Sequence, residues 1–236
     1  MLYIFTLIGV KNKTFLEIGT SFLKGCNFPQ NNTLNLALHH GWNGIWVDHD
    51  TKSINSLKKY LDSSLDSKYF VINRDKLRYA HIAFCHHVTC ENINKFLIDN
   101  EFHGEIDLLS IDIDGNDYWI WSSIHTLNPR VVIIEFNNQL DFYSTIVVTY
   151  KKDFKRYDKI NYGCSLGALV KVANQKGYRL IGVSSSGFNA LFMRNDIETE
   201  VFKTMGISDC CSIPIFAFLN QTERLKKEEV ADFVEV

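Results

Sequence analysis

Four acidic residues mark the places where apolar runs of this sequence give way to polar residues, namely Glu17, Asp48, Asp112 and Glu135. Each closes a short run of the kind that forms a buried strand, and residues 108–111 are the clearest case. Two further acids, Asp114 and Asp117, follow at once. Because parallel strands bring their carboxyl ends to one edge of an open sheet, these carboxylates are expected to line a ligand-binding edge. There they can bind ribose hydroxyls, accept a proton or hold a divalent cation.

The elements that position these acids alternate along the chain. The pattern predicts strands over 14–18, 44–48, 80–85, 108–111 and 130–136 with helices between them. A helix over 165–175 and two strands, 178–183 and 189–193, follow, and the strands are close enough for an antiparallel hairpin. The fold predicted from this order is α/β and Rossmann-like: a doubly wound, mostly parallel sheet with an antiparallel last strand.

The chain length of 236 residues suits one full domain with an addition. We expect a domain over 1–196 and a C-terminal extension over 197–236 that packs on it or caps it. The charged amphipathic pattern of residues 223–236 predicts a helix there, as a packing or oligomer element, so a homo-oligomer is one expectation.

Composition narrows the class of partner. A net charge of -2 gives no general attraction to nucleic acid, which leaves a small molecule as the expected partner. The six cysteines form no CxxC pair, a pattern typical of reduced thiols in the cytoplasm. The apolar opening, residues 1–10, is too short to cross a bilayer, so no membrane span is expected.

Glycine spacing after the first strand discriminates between cofactors. Gly19 supplies a turn there, but Ser21 and Lys24 stand where a dinucleotide fingerprint needs glycines, and Lys24 is not placed as in a Walker loop. This turn is therefore poorly suited to bind a pyrophosphate. Asp48 closes the second strand, where such folds bind a ribose. A cofactor with a ribose and no phosphate, such as S-adenosylmethionine (SAM), suits this arrangement.

Seven blocks in order resemble FkbM-like SAM-dependent methyltransferases of the class I fold, over about residues 15–196: FLEIGTS, GWNGIWVDHD, HVTCENINKFL, IDLLSIDIDGNDYWIW, VVIIEFN, YGCSLGALVKVANQKGYRLIGV and GFNALFMRND. The resemblance implies a seven-stranded sheet whose last strand is antiparallel. It also implies that Glu17, Gly19 and Thr20 form the first cofactor motif. Asp48 corresponds to the ribose acid and His87 and Val88 to the segment near adenine, and Asp112 is a further cofactor-binding candidate.

Methyl transfer is an in-line displacement that requires an aligned acceptor and often the removal of its proton. Asp112, Asp114 and Glu135 are the candidate catalytic residues. Clustered carboxylates also recruit cations, and a magnesium site from Asp112, Asp114 and either Glu135 or Asn137 is predicted. Tyr162 is either a wall of the acceptor pocket or a packed aromatic. We expect a small-molecule or sugar or glycoconjugate hydroxyl as acceptor, with specificity residing in residues 147–160 and 197–218.

Two other classes of function remain open at this point. The triplets Asp48-His49-Asp50 and Asp112-Ile113-Asp114 match the D-x-D pattern with which nucleotide-sugar glycosyltransferases hold a metal and a diphosphate. A methyltransferase fold that has lost catalysis and serves as a binding module is the other alternative.

Overall fold

The computed structural model describes residues 1–21, 29–65, 82–157, 160–197, 199–211, 224–226, 230 and 232–236. The helices within these ranges are α1 (Leu2–Ile8), α2 (Leu34–His40), α3 (Thr51–Leu65), α4 (Ile93–Asp99), α5 (Asp117–Ser123), α6 (Leu166–Gln175) and α7 (Ile207–Cys211). The strands are β1 (Thr14–Ile18), β2 (Asn43–Asp48), β3 (Ile82–Cys85), β4 (Gly104–Ile111), β5 (Leu127–Glu135), β6 (Ile146–Val148), β7 (Tyr178–Val183), β8 (Asn189–Arg194) and β9 (Phe233–Glu235).

Seven of the strands form one sheet in the order β3-β2-β1-β4-β5-β8-β7. β1 pairs in parallel with β2 and β4, and β2 pairs in parallel with β3. β8 is antiparallel to both β5 and β7. The chain runs outward from β1 in both directions, so a topological switch point lies between β1 and β4. Crossovers between parallel strands are normally right-handed, so helices that connect strands in the two directions are expected on opposite faces. The predicted α/β sheet with an antiparallel last strand is confirmed.

The first of two compact units comprises residues 1–112 and 126–129. Most residues of β1, β2 and β4 are buried, and the rings of Phe15 and Trp46 meet edge to face with centroids 4.8 Å apart. The fully buried carboxylate of Asp107 accepts hydrogen bonds from the backbone N–H groups of Lys11, Asn12 and Lys13, at 2.7–3.0 Å. This acid therefore fixes the entry into β1 at the end of the sheet opposite to the predicted site.

The second unit comprises residues 113–125 and 130–236. Ser165 caps α6, with its hydroxyl accepting a hydrogen bond from the backbone N–H of Ala168. β9 pairs antiparallel with β6, so the helix predicted over 223–236 is wrong at Phe233–Glu235. Phe233 joins Leu140, Ile146 and Val148 in a buried apolar cluster. Burial of that aromatic ring outweighs the helical pattern of the charged residues that precede it.

The domain boundary at residue 196 stays a prediction. The described residues of the C-terminal extension belong to the second unit, where Leu225 bridges to Leu140. In the described part of the chain, no helix combines the length and apolar character needed to cross a membrane.

Candidate active site

In the first unit, the turn after β1 is bonded directly to the acid that closes β2. Gly19 has a φ of 97°, a conformation that favours glycine, and its N–H donates to the carbonyl of Val47. The next N–H, of Thr20, donates to Oδ2 of Asp48 at 2.7 Å. The structure therefore brings together Gly19, Thr20 and Asp48, three of the residues predicted to bind the cofactor.

The Asp48 carboxylate is mostly buried yet keeps a surface to solvent, with 10% of its side chain exposed. Oδ1 accepts from the N–H of Asp50 at 2.7 Å, and Nδ1 of the exposed His49 lies 3.4 Å from it. Each carboxylate oxygen can accept more than one hydrogen bond. Asp48 can therefore hold the turn and still receive two hydroxyl donors from a ligand.

Asp112 lies beside this turn at the switch point. Its N–H donates to the carbonyl of Ile18 at 2.9 Å, in continuation of the pairing between Ile18 and Ile111. The end of β4 and the end of β1 are thus adjacent, as predicted from the two acids. Asp112, Gly19 and Thr20 share one edge of the first unit.

Glu17 serves the interior of the unit. Its side chain is buried, Oε1 accepts from the N–H of Asn32 at 2.7 Å, and Oε2 accepts from Nε1 of Trp46 at 3.0 Å. The N–H and hydroxyl of Thr33 also donate to Oε2. Burial raises the pKa of Glu17 against the lowering effect of these bonds. Direct contact of Glu17 with a cofactor stays a prediction, and these bonds favour a positioning role.

The turn after β3 is held by a side chain that the sequence did not single out. Oδ1 of Asn92 accepts from the N–H of Thr89 at 2.8 Å, and its Nδ2 donates to the carbonyl of His87 at 2.8 Å. The imidazole rings of His87 and His49 lie with centroids 5.9 Å apart. The loops that follow β2 and β3 therefore meet, as expected for His87 and Asp48 in one binding site.

Two hydroxyls of the first unit have unused hydrogen-bonding capacity. Oγ1 of Thr20 and Oγ1 of Thr89 are buried and have no hydrogen-bond partner among the described residues. Thr20 is 8% exposed and Thr89 is 1% exposed, so water reaches neither easily. A buried hydroxyl without a partner is costly, and a polar ligand at this edge is one means of satisfying it.

In the second unit, the acidic turn before α5 is organised by Asp117. This fully buried carboxylate accepts from the N–H of Ile113 at 2.8 Å and from the N–H of Gly115 at 2.9 Å. Burial raises its pKa to about 6, against the opposing effect of these bonds, and the nearby charge of Asp114 adds to the increase. Asp117 is a structural acid that fixes the turn on which Asp114 stands.

Residues 151–156 contact this turn at three successive positions. Nδ2 of Asn116 donates to the carbonyl of Lys151 at 2.9 Å. A Cβ added to Gly115 would lie 2.3 Å from the ring of Phe154. Asp114, at a φ of 57°, forms an ion pair with the guanidinium of Arg156. Sequence analysis missed Arg156, because a basic residue in a polar loop gives no signal until the opposing acid is known.

Arg156 interacts with other candidate site residues of the second unit. Its guanidinium carbon lies 3.6 Å from the centroid of the Tyr162 ring, a cation–π contact. Burial lowers its pKa, but the charges of Asp114, Tyr162 and Glu135 outweigh burial and raise it overall. Asp114 and Tyr162 therefore contact one guanidinium, and the charge of Glu135 also acts on it. Tyr162 is 2% exposed, which favours its interpretation as a packed aromatic.

The side chain of Asn137, which is predicted as a metal ligand, makes hydrogen bonds within the second unit. Its Nδ2 donates to the carbonyls of Ile160 and Tyr162, at 2.7 and 3.1 Å, and its Oδ1 accepts from the N–H of Gln139 at 3.0 Å. No group of three or more His, Cys, Asp or Glu side chains in the described ranges is arranged to hold a metal. The magnesium site stays a prediction, and the contacts of Asn137 and Asp114 do not favour it.

The D-x-D triplets have other partners in this structure. Asp48 holds the turn at Thr20, and Oδ2 of Asp50 accepts from the N–H and hydroxyl of Ser53, at 2.9 and 2.7 Å, at the start of α3. In the second triplet, Asp114 pairs with Arg156. The first triplet is accounted for by a turn and a helix cap, so the geometry gives the glycosyltransferase hypothesis no support.

Comparison with known proteins gives only distant likenesses. No family model matches the sequence, and a search of curated proteins gives no match. A SAM-dependent methyltransferase from Clostridium acetobutylicum is 10% identical over 82% of this chain and 88% of its own, with a TM-score of 0.45. A SAM-dependent methyltransferase from Methanosarcina mazei is 11% identical over 77% and 92%, with a TM-score of 0.42. At these values the likenesses decide neither fold nor activity, and the FkbM-like subfamily stays a prediction.

Proposed function

We propose that this chain is a SAM-dependent methyltransferase whose cofactor site lies in the first unit. The bond from the N–H of Thr20 to Asp48, across the turn at Gly19, is the observation that carries the proposal. It places a sharply turned backbone and an incompletely used carboxylate side by side at the switch point of the sheet. This combination suits a nucleoside without a phosphate, because a pyrophosphate would require further glycines that the turn lacks.

The contacts described above support the roles proposed for Asp48, Thr20, Thr89 and Glu17, and the family resemblance supports the role proposed for His87 and Val88. Asp48 accepts the ribose hydroxyls, while the segment at His87 and Val88 borders the adenine. The hydroxyls of Thr20 and Thr89 are available for further polar contacts, since both are buried without a partner in the described structure. Glu17 positions residues 32–33 through its bonds to them.

Bound SAM supplies an electrophilic methyl group. The protein must then hold an acceptor hydroxyl in line and accept its proton. Asp112, Asp114 and Glu135 are the proposed acids for this task, and Arg156 orients Asp114 through their ion pair. Cys164 is unsuited to be a nucleophile, because burial, with the charges of Asp117 and Glu135, raises the pKa of its thiol.

An O-methyltransferase acting on a small-molecule or sugar hydroxyl is the more specific form of the proposal. It rests on the carboxylates named above and on the near-neutral charge, which does not favour nucleic acid. Magnesium is a separate prediction: if a chelator leaves turnover unchanged, no divalent cation takes part. Cys85, Cys90, Cys164 and Cys210 form no disulfide among the described residues, and a reducing compartment such as the cytoplasm is proposed on that basis.

Calorimetric titration with S-adenosylhomocysteine tests the cofactor assignment. The native protein is expected to bind at micromolar concentration, and Asp48→Asn to bind at least tenfold more weakly, because the amide loses carboxylate acceptors for the ribose. Asp99→Asn is the matched control, since Asp99 belongs to the same unit and pairs only at the surface with Lys95. An unchanged thermal midpoint in Asp48→Asn separates loss of binding from loss of the turn.

Absence of binding by the folded native protein would overturn the proposal. Binding of UDP with manganese instead would return the glycosyltransferase hypothesis, and binding of S-adenosylhomocysteine without turnover of any acceptor would indicate a binding module.

A further inference from the structure

Helix α1 is apolar on its exposed side as well as on its buried side. Ile4 and Phe5 are buried, and the ring of Phe5 meets that of Trp42 with centroids 4.6 Å apart. The opposite side carries Leu2, Tyr3 and Leu7, which are 41%, 66% and 44% exposed, and Val10, beyond the end of the helix, is 43% exposed. We call these four residues the α1 face. A surface helix normally turns charged residues outward. A helix whose exposed side is mainly apolar and uncharged therefore indicates that another apolar surface covers that side.

The exposed side of α1 carries two side chains with hydroxyl groups, Thr6 and Tyr3, and no Lys, Arg, Asp or Glu. The hydroxyl of Thr6 donates to the carbonyl of Leu2 at 2.9 Å, within the helix itself. The α1 face therefore presents aliphatic and aromatic carbon without a charged group among its members.

The charged residues next to the α1 face in the sequence are all basic. Lys11 and Lys13 follow it directly and are exposed, while no Asp or Glu occurs in residues 1–16. Asp107 is buried against the backbone of residues 11–13, and the half-buried Glu105 accepts a hydrogen bond from Nδ2 of Asn12 through its backbone carbonyl. Nζ of the exposed Lys13 donates to the carbonyl of His40 at 3.2 Å. Apolar side chains beside lysines, with an exposed tyrosine, are the features of a segment that lies in the interface of an anionic membrane.

The position of α1 suits attachment of this kind. The helix leads into β1, and Trp42, which it contacts, directly precedes β2. Both strands begin there, whereas the candidate cofactor residues follow the ends of the same strands. Attachment through α1 would therefore leave that edge of the first unit accessible.

We propose that the α1 face, with Lys11 and Lys13, binds the chain peripherally to the surface of membranes that contain anionic lipids. This inference goes beyond the proposed function and does not depend on it. A second copy of the chain is the less favoured occupant. Four partly exposed side chains offer far less area than the roughly 800 Å² that each partner of a stable interface covers.

Sedimentation with lipid vesicles tests the proposal on the full chain. Binding is expected to vesicles of phosphatidylcholine with phosphatidylserine, and to be much weaker to phosphatidylcholine alone or at high salt. Tyr3→Asp combined with Leu7→Asp should weaken binding at least tenfold. Ile98→Asp is the matched control, because Ile98 is 55% exposed on α4 of the same unit and should leave binding unchanged.

The charge contribution is tested separately. Lys11→Glu with Lys13→Glu should weaken binding to anionic vesicles, whereas Lys58→Glu with Lys59→Glu, two exposed lysines of α3, should have little effect. The proposal is overturned if the native chain does not bind anionic vesicles, or if substitution of Tyr3 and Leu7 leaves that binding unchanged. Self-association in solution that Leu7→Asp abolishes, without vesicle binding, identifies the face as a contact between copies. S-adenosylhomocysteine binding is expected to be unchanged in all of these variants.

Discussion

At the scale of single residues, two side chains that sequence analysis assigned to the functional site serve to build the structure. Glu17 accepts hydrogen bonds from Asn32, Thr33 and Trp46. The side-chain amide of Asn137 donates to the carbonyl of Ile160 and accepts from the N–H of Gln139. The sequence locates such residues at strand ends correctly. It does not show which backbone N–H groups they accept from, because those donors come from other segments. Asp48 is the exception, since its carboxylate serves the fold with capacity to spare.

Asp117 makes the stability of the second unit dependent on pH. Its pKa of about 6 in the folded chain lies above the ordinary value of 3.8, so the folded state binds the proton more tightly. The stabilisation is complete below about pH 4 and is lost as the pH rises through 6, by roughly 3 kcal/mol from the difference in pKa. Relative to Asp117→Asn, which cannot titrate, the native protein should lose stability from pH 4 to pH 7.

Urea unfolding at several pH values measures this difference. Asp62→Asn, at an exposed position of α3, is the control and should show no comparable slope. A difference between native protein and Asp117→Asn that is constant with pH would mean that Asp117 has an ordinary pKa when folded.

At the scale of elements, the acidic turn and residues 151–156 form one structural feature. The acids of the sequence predict the turn, and the sequence assigns residues 147–160 only to acceptor specificity. The contacts of Asp114, Gly115 and Asn116 with that segment depend on long-range packing, which local periodicity does not record. The strand β6 was missed for a related reason: Ile146–Val148 is too short for an alternating pattern, and its partner lies at β9.

Gly115→Ala tests how tightly these two segments are packed. The new Cβ would lie 2.3 Å from the ring of Phe154, so the ring or the turn must move, at a cost of about 1–3 kcal/mol. Gly182→Ala is the control, because its Cβ would meet nothing within 4 Å.

Chemical denaturation of both variants, alone and with Phe154→Ala, gives the coupling. The cost of Gly115→Ala should largely disappear in the Phe154→Ala background. An equal cost in both backgrounds would place the strain in the backbone of the turn and not against Phe154.

At the scale of the whole molecule, alternation of strands and helices was sufficient to predict the main sheet, because buried parallel strands are continuous apolar runs that are easy to recognise. The division into two compact units was not predicted. A single sheet gives no sequence signal at a boundary such as Asp112, where one residue belongs to the first unit and the next to the second.

Phe233→Ala should distinguish the two units. The ring packs in the apolar cluster of the second unit, and its removal should cost about 3 kcal/mol. Because the candidate cofactor residues from Glu17 to Asp112 belong to the first unit, binding of S-adenosylhomocysteine by folded protein should change less than twofold. Denaturation together with calorimetry at low temperature checks both expectations, and loss of affinity that parallels the loss of stability would contradict them.

The pairing of β6 with β9 also has a consequence for the order of events during synthesis. Val148 of β6 pairs with Phe233 of β9. The second unit therefore cannot complete this two-stranded sheet until residue 233 has been translated. The strands β1 to β4 and the core around Trp46 are made well before that. A nascent chain is therefore expected to fold from its beginning, and for a time to expose the apolar cluster that β9 later covers. During that interval the growing chain is the form most dependent on chaperones.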